Sequence, residues 1–329
     1  MKNTILILMT LGLTSFLAQS SETDNYLAWD KTLKDSSSEI NRYYNALIVQ
    51  ELKKINRRPF IRKSCERVAT WIGKKIISGN QKHTDHWVKE NKKIDKYPDY
   101  GVDRWDYLEN SIYKNVWKLG TNLSPTLNIN GIYAGSDKIS HYLGVGYLYY
   151  LRYNLHLRLN RKRNLSSSVK KLNAVKKAIE FGLYTEKFIL GESNLSSGVF
   201  SYGDMESNYQ GLLFYKSFCE GKAPRLQKKR GRWQWVRNLD IRNYVNPKWD
   251  ETFYSNHYTN ARWHHVRPFL LKYCDQRTHP VVMAKMDYYK RIDKPSFSSR
   301  FLEARVENGQ APGLAEHSLN ELCRSKGLN

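Results

Sequence analysis

Beyond its first twenty residues the chain is patterned mainly at helical spacing. Ile40, Tyr44, Leu47, Ile48, Leu52 and Ile55 recur every three or four positions and so share one helix face. Ser36 and Glu39 stand in front of them at capping-box spacing. Val68, Trp71, Ile72 and Ile76 form a second apolar stripe, with Gly79-Asn80 as its stop signal. Trp105, Leu108, Ile112 and Val116 form a third, closed by Gly120. Positions 122–135 hold Pro125 and two glycines and read as a loop. A helix then opens at Ser136 and runs to about Leu159, another spans Val169 to about Leu190, and a third follows from Ser201 to about Phe218. From Gly221 onward periodicity weakens, and arginine, tryptophan and proline intermix. Trp233 to Val236 is the best short strand there, and Ser318 to Arg324 the last clear helical stretch. The predicted fold is mostly α, a multi-helix core with a less regular C-terminal part. Residues 1–20 read as a signal peptide, 21–222 as a helical core domain, and 223–329 as a basic, aromatic-rich part packed on that core.

The first segment has the order of an export signal. Lys2 gives a positive start, Ile5 to Phe16 are apolar, and Ala18-Gln19-Ser20 offers small residues for cleavage before the polar Ser21-Glu22-Thr23-Asp24. The apolar stretch is short for a membrane span, although an uncleaved anchor is the alternative. No cysteine stands at the junction to take a lipid. This predicts a periplasmic or secreted protein, with peripheral membrane association open to it. In such a compartment the four cysteines, Cys65, Cys219, Cys274 and Cys323, suggest two disulfides with three connectivities. Cys219 and Cys274 border the same basic segment, which favours pairing those two; free buried thiols are the alternative. No pair has the CxxC spacing of a zinc or redox motif.

Charge narrows the partner. Lysine and arginine number 54 against 31 acidic residues, a formal net charge of +23 over 329 residues. The 23 tyrosines and 9 tryptophans exclude a disordered polycation. A strongly basic surface steers encounter with polyanions. Export disfavours nucleic acid and leaves anionic envelope polymers: peptidoglycan, lipopolysaccharide, teichoic acid or lipid headgroups. Arg225, Lys228, Lys229, Arg230, Arg232 and Arg237 surround Trp233 and Trp235, a pattern that can pair with anionic groups while stacking on rings. Arg232, Trp233 and Trp235 are therefore candidate substrate-binding residues. A merely solvated basic face is the plainer reading.

Candidate chemistry lies in the middle of the chain. In Ser136-Asp137-Lys138-Ile139-Ser140-His141-Tyr142-Leu143-Gly144, Asp137 and His141 are four apart and share a helix face, with Gly144 one turn on. Downstream, Ser201-Tyr202-Gly203-Asp204 has the spacing of an N-cap with an acidic first turn, and Asn208 and Gly211 continue that face. Glu186 lies one turn after Gly182 on the intervening helix. Packing the three helices together would gather Asp137, His141, Glu186, Asp204 and Asn208, because buried charges need partners.

The order Asp137-Lys138-x-x-His141, Glu186, Ser201-x-x-Asp204-x-x-x-Asn208-x-x-Gly211 resembles that of the VanZ-like families and related small envelope lipoproteins of bacteria. The resemblance covers roughly residues 130–215 and implies a shared polar site more readily than a shared reaction. VanZ-like proteins are membrane-embedded, whereas this stretch is too polar to span.

A histidine among carboxylates can act as a general base, one carboxylate fixing its tautomer. Here His141 would be base or ligand, Asp204 its orienter, Asp137 a second carboxylate, Glu186 a third, and Asn208 a hydrogen-bonding partner, with Lys138 and Ser201 contacting substrate. The same set can hold a divalent metal that polarises a phosphoryl or glycosyl oxygen. These residues would make an envelope hydrolase. The alternative is a network that only ties helices together in a non-catalytic envelope-binding protein. Two further sites compete. Glu192-Ser193, in Gly191-Glu192-Ser193-Asn194-Leu195-Ser196, resembles the Glu-Ser segment of lysozyme-like transglycosylases, where the glutamate is the general acid. Trp249-Asp250-Glu251 through His257 and His264-His265 gathers carboxylates and imidazoles among Tyr254, Tyr258 and Trp263, which would be either sugar-stacking or core residues. His83 and His86, three apart, lack a nearby third ligand.

Overall fold

A computed structural model describes residues 21–99, 101–114, 122–190, 197–313 and 316–327. The export signal, Val116, Gly120 and the Glu192 segment lie outside the described residues, as does the side chain of His83. The fold is mostly α, as the periodicity predicts. Helix α1 (Ser37–Asn56) buries Ile40, Tyr44, Ile48, Leu52 and Ile55 along one stripe. Its capping box does not form. The Asp35 carboxylate accepts from the Ser37 backbone N–H at 3.0 Å, and Glu39 turns to Arg42 and Asn91 instead of returning to the helix start. Helix α2 (Cys65–Glu90) continues through Gly79-Asn80, contrary to the predicted stop. One glycine costs a helix interior only about 1 kcal/mol, which the burial of Ile76, Ile77 and Val88 on either side offsets. Trp105 and Leu108 fall in a much shorter helix than predicted, α3 (Arg104–Asn110).

Positions 122–135 are strands and not the loop expected. Strands β1 (Ser21–Thr23) and β3 (Asn122–Ser124) pair in parallel, and β2 (Lys96–Tyr97), β4 (Thr126–Ile129) and β5 (Ile132–Gly135) form an antiparallel sheet. Asn130-Gly131 makes the β4–β5 turn with φ of 56° and 84°, the left-handed pair that a two-residue hairpin demands and that Asn-Gly supplies.

The next helical stretch is continuous but not uniform. Helix α4 (Ser136–Ser140) passes through a π-helical turn at His141–Val145 into α5 (Gly146–Leu159). Helix α6 (Ser167–Thr185) likewise ends in a π-helical turn, Glu186–Leu190. After β6 (Val199–Phe200), Ser201 caps α7 (Tyr202–Lys216) as predicted, its hydroxyl accepting from the Asp204 N–H at 3.1 Å. Helices α5, α6 and α7 pack together, and α2 covers α4 and the first π turn. Gly211 sits so close to this turn that a Cβ there would lie 1.9 Å from the Tyr142 carbonyl oxygen, and one on Gly146 would lie 2.6 Å from Gly211 Cα. The small residue opposite Gly211 is thus Gly146 and not Gly144, because the wider π turn advances the facing position along the helix.

The C-terminal part contains more helix than its pattern shows. Hairpin strands β7 (Leu226–Lys229) and β8 (Arg232–Trp235) lead to β9 (His257–Tyr258), α8 (Asn260–Leu270), α9 (Pro280–Ile292), α10 (Phe297–Glu307) and α11 (Leu319–Arg324). The main core runs from α1 to α7 and takes in Leu226, Trp233, Trp249, Tyr289 and Leu302. A second core joins Tyr26, Trp29 and Tyr113 to Val266, Leu270 and Leu322. Cys65 is bonded to Cys219 and Cys274 to Cys323, which corrects the favoured Cys219–Cys274 pairing. The folded chain brings the start of α2 to the end of α7, so Cys219 is matched across the core and not along the sequence. Among the described residues no helix is long and apolar enough to cross a membrane.

Candidate functional site

Lys138 is fully buried and is the centre of the cluster. Its Nζ lies 2.8 Å from Asp137 Oδ2, 2.7 Å from Asp204 Oδ1 and 2.6 Å from Glu251 Oε1. Four separate stretches converge on it. Helix α4 supplies Asp137 and Lys138, and the first turn of α7 supplies Asp204. Pairing of β6 with β9, Val199 opposite Tyr258, holds the segment that carries Glu251 against Ser201. Strand β1 contributes Thr23, whose hydroxyl donates to Asp137 Oδ1 at 2.7 Å. Gly135 leaves room for this contact, since a Cβ there would meet Thr23 Oγ1 at 2.0 Å.

The remaining oxygens are engaged in turn. Ser201 Oγ donates to Glu251 Oε1 at 2.9 Å while Asn256 donates to Oε2 at 2.8 Å. The Ser201 N–H donates to Glu186 Oε1 at 3.2 Å. His141 stands at the rim with its side chain 14% exposed, Nε2 being 3.3 Å from Asp204 Oδ2 and Nδ1 3.2 Å from Asn208 Oδ1. Both ring nitrogens therefore face protein oxygens, and the tautomer decides which of them donates.

One ammonium cannot balance this many acids in a dry interior. Burial pushes the Glu251 carboxyl up to about 7, against the pull of Lys138 and with the help of Asp137 and Asp204. Burial likewise raises Asp137, Glu186 and Glu22, with Asp204 adding to each. Burial opposes charge on Lys138 too, but Asp137, Asp204 and Glu251 together outweigh it and hold the ammonium well above the ordinary lysine range. Surplus negative charge is thus relieved by protons, and Glu22 Oε2 has no hydrogen-bond partner among the described residues.

Oxygens of Asp137, Asp204 and Glu251 lie within 4.8 Å of one another, a spacing that could hold a metal ion. The Lys138 ammonium already stands among them at ion-pair distance, so a cation entering this group would have to displace a buried lysine.

The structure brings Asp137, His141, Asp204 and Asn208 together, and Glu186 joins one hydrogen bond away through Ser201. Lys138 and Ser201, expected to touch substrate, instead bind the cluster's own carboxylates. Glu251, read as part of a separate region, belongs to this site, and Glu22 and Thr23, read only as the polar residues after a signal, are buried beside it. The basic–aromatic segment is arranged differently from the expectation. Trp233 is buried, its backbone exchanges hydrogen bonds with the Asn56 amide at 2.8 Å, and the Trp235 indole donates to Asn45 at 2.9 Å. Arg225 is buried as well, donating to Ser217, Arg237 and Tyr244. Both indoles pack against the core, Trp233 buried and Trp235 partly exposed, so the burial of Trp233 runs against a stacking role for that ring. Arg232 stays exposed with Lys228, Lys229, Arg230 and Arg237. His264 and His265 are exposed on α8, and Asp250 is buried, accepting from Thr252 and Tyr289. Three cavities lined by described residues lie away from the cluster.

Compared with protein-family models, curated proteins and solved structures, the chain finds no match.

Proposed function

We propose that this is an exported bacterial envelope protein that binds an anionic envelope polymer through its cationic surface, with the Lys138 cluster locking the frame. Sorting of charge carries this reading. Among the described residues nine aspartate and glutamate side chains are buried, against five of lysine and arginine. Burial withdraws more negative than positive charge from the surface of a chain whose formal net charge is already +23. Two disulfides support an oxidising compartment. The cluster itself argues for a lock. Lys138, Asp137, Glu251 and Asn208 are buried, and His141 has both nitrogens turned to protein acceptors, leaving no lone pair aimed at a substrate.

Co-sedimentation of the full chain with purified peptidoglycan sacculi and with vesicles of anionic or zwitterionic lipid tests this reading. Binding to an anionic matrix, weakened about tenfold or more when salt rises from 0.05 to 0.5 M as surface charge is screened, is expected. Equal retention on zwitterionic vesicles, or no retention anywhere, contradicts it.

A hydrolytic role for the same cluster is the second reading, favoured by the position of His141 at the rim. It requires the imidazole to swing away from Asn208 or Asp204. A His141→Ala protein that keeps wild-type stability but loses a measured hydrolase activity supports catalysis. One that loses stability and keeps polymer binding supports the lock.

A further inference from the structure

A groove of about 400 Å³ runs along α8 and is lined by Asn260, Trp263, His264, Arg267, Leu271 and Lys326. Its volume is in the range of small-ligand sites. Asn260 and His264 lie one turn apart on α8, as do Trp263 and Arg267, so two neighbouring ridges of one helix face the groove. Lys326 comes from beyond α11. The Cys274–Cys323 disulfide ties that chain end to the segment following α8 and fixes the lysine across from the helix.

The lining combines a flat ring with unneutralised cations. Tyr258 stacks on Trp263 with centroids 5.8 Å apart and planes 19° apart, and His317 lies 4.5 Å from it. These rings hold the indole in place, and its partly exposed remainder lines the groove. Arg267 is exposed, and neither it nor Lys326 pairs with a carboxylate among the described residues. Asn260 adds an exposed amide that can both donate and accept. An indole face suits the C–H face of a pyranose ring, the amide suits its hydroxyls, and a planar guanidinium suits a carboxylate.

We infer that this groove is a binding subsite for a carboxylate-bearing saccharide. The inference rests on the envelope-polymer reading and names where and by what chemistry one sugar unit would be held. It also gives Trp263 the sugar-contacting role that the buried Trp233 cannot fill.

Titration of the full chain with an oligogalacturonate, followed by calorimetry, tests it, with an uncharged oligogalactose as control. The wild type should bind the uronate at least about tenfold more tightly than the neutral sugar. Arg267→Gln and Lys326→Gln, both at the surface, should each weaken uronate binding several-fold, and Trp263→Ala should weaken both sugars. Unchanged affinity in Arg267→Gln and Lys326→Gln overturns the subsite, whatever Trp263→Ala does to folding. So does a wild type that ignores the uronate yet still sediments with sacculi, an outcome that leaves the envelope reading standing. A wild type that is retained on neither sacculi nor anionic vesicles and ignores the uronate overturns both.

Discussion

A lysine in the middle of a helix becomes the hub of this protein because every polar group around it is an acid or supports one. Helix spacing made part of that arrangement legible: Asp137 with His141, and Ser201 with Asp204 and Asn208, are within-helix relations that repeat at one turn. Lys138 itself was read as a substrate contact, since one sequence position cannot show that three carboxylates will meet its ammonium. Glu22 and Glu251 arrive from a strand and a turn far along the chain, and no spacing connects them to α4. His141 is the least buried member, so it tests the lock with least collateral damage. His141→Leu removes the ring's contacts with both Asp204 and Asn208, and should lower unfolding free energy by about 1–3 kcal/mol in urea titration while leaving polymer binding unchanged.

At the scale of elements, α4, α5 and α7 meet almost backbone to backbone. Gly211→Ala puts a methyl group into the Tyr142 carbonyl; neither partner is a flexible side chain that can step aside. The variant should lose about 3 kcal/mol or more, at the upper end of overpacking costs, read as a shift in urea midpoint. Gly144→Ala, with open space at its Cβ, should be nearly neutral or slightly stabilising. The contrast tests the register set by the π turn, which apolar periodicity did not reveal because a one-residue bulge leaves the local pattern looking helical. The β4–β5 hairpin could have been found from Asn130-Gly131 between alternating apolar residues. Helices α8 and α9 were harder to see for a different reason: α8 buries only Val266 and Leu270, and α9 only Val282, Lys285 and Tyr289. So narrow a contact stripe leaves little periodic signal.

Across the whole molecule, buried acids set the response to pH. Burial raises Asp24 from its ordinary 3.8 to about 6 and Glu251 from 4.5 to about 7. Between each pair of values the folded chain keeps a proton that the unfolded chain releases, so this contribution to stability is greatest in acid and falls as pH rises through about 4 to 7. His317, pushed down to about 4 by burial, acts in the opposite sense below 6.5, but it is one group against several. Urea unfolding should show stability declining from pH 5 to 7.5, and Asp24→Asn should flatten the curve by about 1.5 kcal/mol over that window; stability rising through that window would refute the reading. The Cys65–Cys219 bond spans 154 residues, and its replacement by two serines should cost about 2–5 kcal/mol.

The central claim is that the Lys138 cluster holds the fold together, and urea unfolding of Lys138→Met beside the wild type at neutral pH addresses it most directly. Removing the shared cation should strand Asp137, Asp204 and Glu251 and lower stability by about 3–5 kcal/mol. A variant as stable as the wild type, or more so, would contradict the account.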